Sequence, residues 1–121
     1  MDIIQSFYYS SDSIRQKEIE HALHSNLNKD FVKGIHLFIE EKDYDLFIKS
    51  VFITHEKYNK ITLVKFEGQP KYPELFKYGS DLEDKLCCIC NSDIEFDIEQ
   101  TNIQLLDQLY NDNMIYFLTR H

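Results

Sequence analysis

The sequence predicts an α/β protein whose mostly parallel sheet is covered by helices on both faces. Three observations carry that expectation. Apolar runs rich in β-branched and aromatic residues recur at 2–9, 33–40, 61–67, 85–90 and 114–120, and segments of helical spacing lie between most of them. The run at 85–90, "KLCCIC", is apolar on both faces, which is how a strand in the middle of a parallel sheet reads. Gly and Pro are scarce, three and two among 121 residues, and a small all-β barrel needs more tight turns than that.

Taken in order, "DIIQSFYY" is the first strand. "SSDS" at 10–13 starts a helix, with Ser13 and Gln16 in capping-box spacing. That helix runs from Ile14 to Leu27 and buries a stripe of Ile19, Ala22, Leu23 and Leu27. "KGIHLFIE" is the second strand, and "DYDLFIKS" at 43–50 reads as a short helix opening on acids. Residues 51–60 are ambiguous, with a short strand at "VFITHE" as one reading. "ITLVKFE" is a clearer strand. A helical turn or two follows, with Pro73 in its first turn and Gly79 just past its end. After the strand at 85–90, Thr101 and Gln104 offer another capping box, and Leu105, Leu106, Leu109 and Tyr110 share a helical face that reads as core. "MIYFLTR" is the last strand. No repeat, linker or low-complexity stretch divides the chain, so residues 1–121 read as one domain.

Bulk composition narrows the function. The chain is 43% hydrophobic and 28% charged, with a net charge of −8. An acidic chain of this kind lacks the basic face of a nucleic-acid binder. An acidic protein that holds a phosphate ester usually does so with backbone N–H groups or a divalent cation. There is no Walker-type loop and no GxGxxG. The three cysteines, Cys87, Cys88 and Cys90, fall within four residues and match no zinc spacing. They read as buried, reduced thiols, which fits a reducing, cytoplasmic compartment. The N-terminus has no signal-peptide pattern, and no run reaches membrane-spanning length.

"CNSDIEFD" at 90–97 is the candidate site. It leaves the carboxyl end of the apolar strand, where ligands of open α/β sheets collect. On an extended chain Asn91 and Asp93 point to the same side, so they can present two oxygen groups to one Mn²⁺ or Mg²⁺. The competing reading is equally physical. Asn and Asp form turns, and Asn91, Asp93, Glu95 and Asp97 alternate with Ser92, Ile94, Phe96 and Ile98 as on a half-buried strand.

The ordering as a whole resembles the nucleotide-binding half of a GT-A-type glycosyltransferase, and small GT-A-like proteins of viruses and microbes in particular. The resemblance is carried by "IIQSFYY" followed by "IRQKEIEHALHSNL", by "KGIHLFIEE", and by "CNSDIEFD" with "IYFLTRH". It implies a metal-dependent site for a nucleotide-diphosphate sugar, with Asn91 and Asp93 in the places of the motif's two acids. It also implies that Phe7, Tyr8 and Tyr9 lie where the base is received. In such a mechanism the metal stabilises the departing nucleotide diphosphate while an acceptor hydroxyl attacks the sugar. Asn91 departs from the family pattern because it is neutral. The acceptor-binding strands of a complete enzyme have no counterpart here, so neither the acceptor nor a catalytic residue is assigned.

Other residues carry paired readings. Arg15, near the start of the first helix, can reach a phosphate across the strand ends or pair with Glu18 or Asp12 on the surface. Tyr8 or Tyr9 can stack on a base or pack into the core. His21 and His24 share a helix side without a third ligand, His36 sits within a strand, and His55-Glu56 lacks the zincin spacing. Asp93, Glu95 and Asp97 are the only clustered carboxyls near the presumed site, and none is assigned as a base. No nucleophile elbow is visible, and a phosphoacceptor domain would need acids closing the first strand, where "QSFYYS" has none. The alternative from a different functional class is a non-catalytic module that dimerises through "MIYFLT" as an exposed edge strand.

Overall fold

The computed structural model describes residues 1–82 and 86–96. Asp97, the helix expected at 101–110, the strand expected at 114–120 and His121 lie outside the described residues.

The elements are β1 (Asp2–Ser6), α1 (Ser13–Leu27), β2 (Gly34–Ile39), α2 (Glu41–Phe47), two short 3₁₀ turns (Val51–Thr54 and Tyr58–Lys60), β3 (Ile61–Lys65), α3 (Tyr72–Ser80) and β4 (Cys87–Ile89). The four strands form one sheet in the order β3-β2-β1-β4, and every pairing is parallel. This is the α/β class, with a Rossmann-like strand order.

Registers place Asp2 opposite both Gly34 and Cys87, and Ile4 opposite both His36 and Ile89. Alternation along each strand then sorts side chains by face. On one face Ile3, Phe7, Ile35, Leu37 and Ile39 pack against Ile19, Leu23 and Leu27 of α1, Phe47 of α2 and Phe52. On the other, Ile4 and Phe38 pack against Leu75 of α3. Helices therefore cover both sides of the sheet.

The apolar stripe of α1 is buried as its spacing predicts, with Ile19, Leu23 and Leu27 fully enclosed. Its cap is not Ser13. Asp12 is the N-cap, accepting from the amides of Ile14 (3.0 Å) and Arg15 (3.3 Å). Gln16 accepts instead from the Ser10 amide at 2.7 Å. A carboxylate at this position satisfies free amides and also faces the positive end of the helix dipole, so it wins over the hydroxyl beside it. At the other end the Lys60 ammonium donates to the carbonyls of Leu27 and Lys29.

Three other expectations change. "VFITHE" is not a strand: Val51–Thr54 forms a 3₁₀ turn, capped by the Ser50 hydroxyl and anchored by buried Phe52. Gly79 lies inside α3 rather than past its end, and a Cβ there would stand 3.0 Å from Ile4 Cδ1. Its value is close approach of helix to sheet, not a left-handed cap. Finally, β4 is half-buried rather than fully buried, and among the described residues it is the outermost strand on its side, paired only with β1. The described strands with interior positions are β1 and β2.

Candidate functional site

The chain builds β1, β2 and β3 outward in one direction and then places β4 on the opposite side of β1. The direction of winding thus reverses between β1 and β4. In open parallel sheets the crevice outside the carboxyl ends at such a reversal is where ligands bind. Here it is bounded by the residues after Ser6, by the start of α1, and by the segment from Cys90 to Phe96.

That segment is held from three sides. Ser92 is buried and donates its hydroxyl to the Ser6 carbonyl at 2.6 Å, with the two hydroxyl oxygens 3.1 Å apart. Asn26, fully buried on α1, donates to the Ile94 carbonyl (2.9 Å) and accepts from the Phe96 amide (3.0 Å). Ser25 donates to Glu95 at 2.6 Å. The Ile94 amide returns to the Asn91 carbonyl at 3.2 Å, so Asn91–Ile94 is a turn.

The turn decides what Asn91 and Asp93 can do. The expectation of two side chains converging on one point assumed an extended chain. In the structure Asp93 receives Arg15 Nη1 of α1 at 2.7 Å, while Asn91 Oδ1 accepts from the Tyr72 hydroxyl of α3 at 2.9 Å. Those helices cover opposite faces of the sheet, so the two side chains are drawn apart. Asp93 Oδ2 and Asn91 Oδ1 are each engaged by a donor. Among the described residues, no three His, Cys, Asp or Glu side chains group so as to hold a metal ion. In this arrangement Asn91 and Asp93 answer to Tyr72 and Arg15 rather than to one shared point.

Arg15 is the centre of the rim. Besides Asp93 it donates from Nε to the Tyr8 hydroxyl at 3.1 Å, and it lies 3.6 Å from Glu18. The hydrogen bond to Tyr8, and then that to Asp93, push the guanidinium above its already high ordinary range, so it is a fixed positive charge. The side chains of Arg15 and Asp93 are 36% and 15% exposed. Arg15 is thus the open half of the pair, and an incoming anion can reach the guanidinium from the solvent side.

Of the residues expected to receive a base, only Tyr8 stands at the rim, and it is exposed. Phe7 is buried, edge-on to Phe47 at 5.1 Å and to Tyr9 at 5.3 Å, so its ring belongs to the core and offers no face to a ligand. Tyr9 packs against the same cluster, and burial followed by the charge of Glu20 raises its phenol. The histidines on α1 diverge: His21 meets Glu95 at 3.3 Å, and His24 lies edge-on to His55 at 4.9 Å. His36 is satisfied by Asp2 (2.9 Å) and Tyr78 (2.8 Å).

Beside the ion pair lies a hollow of about 250 Å³ lined by Glu18, His21, Ala22, Asp93 and Glu95. It is smaller than a typical ligand pocket, so it suits one small group, and a whole nucleotide would have to lie along the open rim. Within it the Ser25 hydroxyl, helped by His21, holds the Glu95 carboxyl below its usual range. Behind the rim, Cys90 donates to Gln5 Oε1 at 3.3 Å. Hydrogen bonding to Cys88, then burial, push the Cys90 thiol up. It is therefore not a poised thiolate nucleophile.

Tyr72, Ser6, Ser92 and Gln5 are rim or near-rim residues that the sequence did not single out. Tyr72 had one available sign, an aromatic ring immediately before Pro73 at a helix start. The other three had none.

The fold and rim thus define a parallel α/β domain with a crevice at its topological reversal, carrying, among the described residues, Arg15 and the exposed Tyr8 and Tyr72. No protein-family model matches the chain, and comparison with curated proteins returns no match. No described helix is long and apolar enough to cross a membrane.

Proposed function

We propose that the chain binds a nucleotide-diphosphate sugar in the crevice between the carboxyl ends of β1 and β4. Glycosyl transfer is the reaction class, with the acceptor supplied from outside the described residues. The observation that carries this reading is the strand order β3-β2-β1-β4, whose reversal point is flanked by Tyr8, Arg15 and Asp93 on the side of α1 and by Asn91 on the side of α3. Tyr8 offers an aromatic face for a base, and Arg15 offers a cation for the diphosphate. In transfer, an acceptor hydroxyl attacks the sugar while the nucleoside diphosphate departs. A cation at the diphosphate favours that departure because it meets the charge that develops there.

The alternative reading, a non-catalytic module pairing through an edge strand, rests on residues 114–119, which lie outside the described residues. Thermal unfolding with UDP- and GDP-sugars, with and without Mn²⁺, tests the proposal. A ligand that binds only the native state, at a hundredfold excess over its Kd, adds about 2.7 kcal/mol of stability. A rise in Tm with one nucleotide sugar and not with the free sugar is expected. An unchanged Tm with every nucleotide sugar contradicts the proposal.

A further inference from the structure

The geometry points to diphosphate recognition by hydrogen-bond donors, Arg15 and Asn91, with no divalent metal, Asp93 serving as a latch that parks Arg15 until the phosphate displaces it. This inference rests on the nucleotide-sugar reading and specifies how that site would meet its ligand's charge.

The argument is one of donors and acceptors. A metal site needs unengaged oxygens converging on one point. The rim offers the opposite. Tyr72 donates to Asn91 Oδ1, which fixes the amide so that Nδ2, with its two N–H groups, is what remains to offer. Arg15 spends Nε on Tyr8 and Nη1 on Asp93 and Glu18. Among the described residues, neither Nη2 of Arg15 nor Nδ2 of Asn91 has an acceptor. A third surplus donor lies just behind them. Gln5 is 1% exposed, its Oε1 accepts from the Cys90 thiol, and among the described residues its Nε2 meets no acceptor. An excess of unpaired donors at one end of a sheet fits a ligand rich in acceptor oxygens, and a planar guanidinium matches phosphate in bidentate geometry.

The same rim is acidic. Asp12 caps α1, Glu18 lies 3.6 Å from Arg15, and Glu95 lines the adjoining hollow. These charges oppose an incoming diphosphate and lower its affinity. Asp93 does so most directly, because it also occupies the arginine. Neutralising Asp93 should therefore strengthen binding. A metal ligand at that position requires the reverse.

The test is calorimetric titration of UDP and GDP into the full chain in EDTA, repeated in Mn²⁺. Wild type should bind equally in both. Asp93→Asn should bind more tightly in EDTA, by about threefold or more, from loss of a like charge beside the phosphate. Arg15→Gln should bind about tenfold or more weakly, from loss of a charge-assisted bidentate contact, with Arg15→Lys between the two. Asn91→Asp should weaken binding in EDTA. The melting temperature of each variant shows whether it is folded, and Arg15→Lys, which keeps the charge, supplies a reading should Arg15→Gln fail to fold. Binding that requires Mn²⁺, is lost in Asp93→Asn and improves in Asn91→Asp overturns the inference while leaving the nucleotide-sugar reading intact. No binding of either diphosphate by wild type or Asp93→Asn, with or without Mn²⁺, overturns both.

Discussion

The two faces of the sheet are held by different physics. On the side of α1 and α2 the packing is almost wholly apolar: Ile3, Phe7, Ile35, Leu37 and Ile39 meet Ile19, Leu23, Leu27, Phe47 and Phe52. Rings interlock there, with Phe7 edge-on to Phe47 and Phe47 stacked on Phe52 at 5.5 Å. On the side of α3, Ile4, Phe38 and Leu75 are the buried apolar members of the cluster among the described residues. Half-buried Val64, Phe66 and Ile89 pack around them, and a polar chain runs alongside. The Tyr78 hydroxyl meets His36 Nδ1, and His36 Nε2 meets the Asp2 carboxylate, with both Asp2 and His36 buried. Gly34 makes room for it, since a Cβ there would stand 3.0 Å from Asp2 Oδ2. Apolar burial is non-directional and its strength scales with area. Hydrogen bonds fix angles, and a buried partner left alone is costly. One face thus supplies bulk stability, while the other sets the alignment of α3, the helix that carries Tyr72 to the rim.

The contrast can be broken from either side. The largest effect is expected at the ring cluster. Phe47→Ala removes a fully buried ring that touches both Phe7 and Phe52, at a cost of about 3–5 kcal/mol in chemical denaturation. Leu75→Ala on the opposite face should cost less, near the lower end of the range of about 2–5 kcal/mol for such truncations. Equal costs would mean that the two clusters carry the fold alike. A smaller effect of a different kind is expected at His36. His36→Leu takes from the buried Asp2 carboxylate its bond to the histidine and should destabilise by about 1–2 kcal/mol, with NMR signals of α3 shifting while those of α2 stay in place. A neutral result, or shifts spread over both helices, would reduce the Asp2–His36–Tyr78 chain to a filler.

Much of this fold was legible along the chain, because α1 buries residues at helical spacing and β2 is a continuous buried run between two helix layers. The readings that failed did so where local pattern competes with distant contacts. The aromatic run "SFYY" continues the look of a strand, yet β1 ends at Ser6. The chain turns off there to bring Asp12 to the helix start. "VFITHE" has the β-branched content of a strand, but Phe52 buried under Phe47 holds it as a 3₁₀ turn. Such tertiary override is why β-propensity is a weak guide. The site was less legible for the same reason. Alternation after Cys90 fits a strand or a turn equally well, and the partners that decide between them, Arg15 and Tyr72, lie 78 and 19 positions away. The location of the rim followed from topology, whereas the direction of each side chain did not.

Amide chemical-shift mapping of the full chain with UDP and GDP tests most directly whether the β1/β4 reversal is the ligand site. The account predicts saturable perturbations concentrated at Ser6–Tyr8, Ser13–Arg15 and Cys90–Asp93, with Arg15 side-chain signals moving in step. Perturbations centred on the exposed Leu46–Val51 region at the far end of α2, or none at millimolar nucleotide, would contradict it.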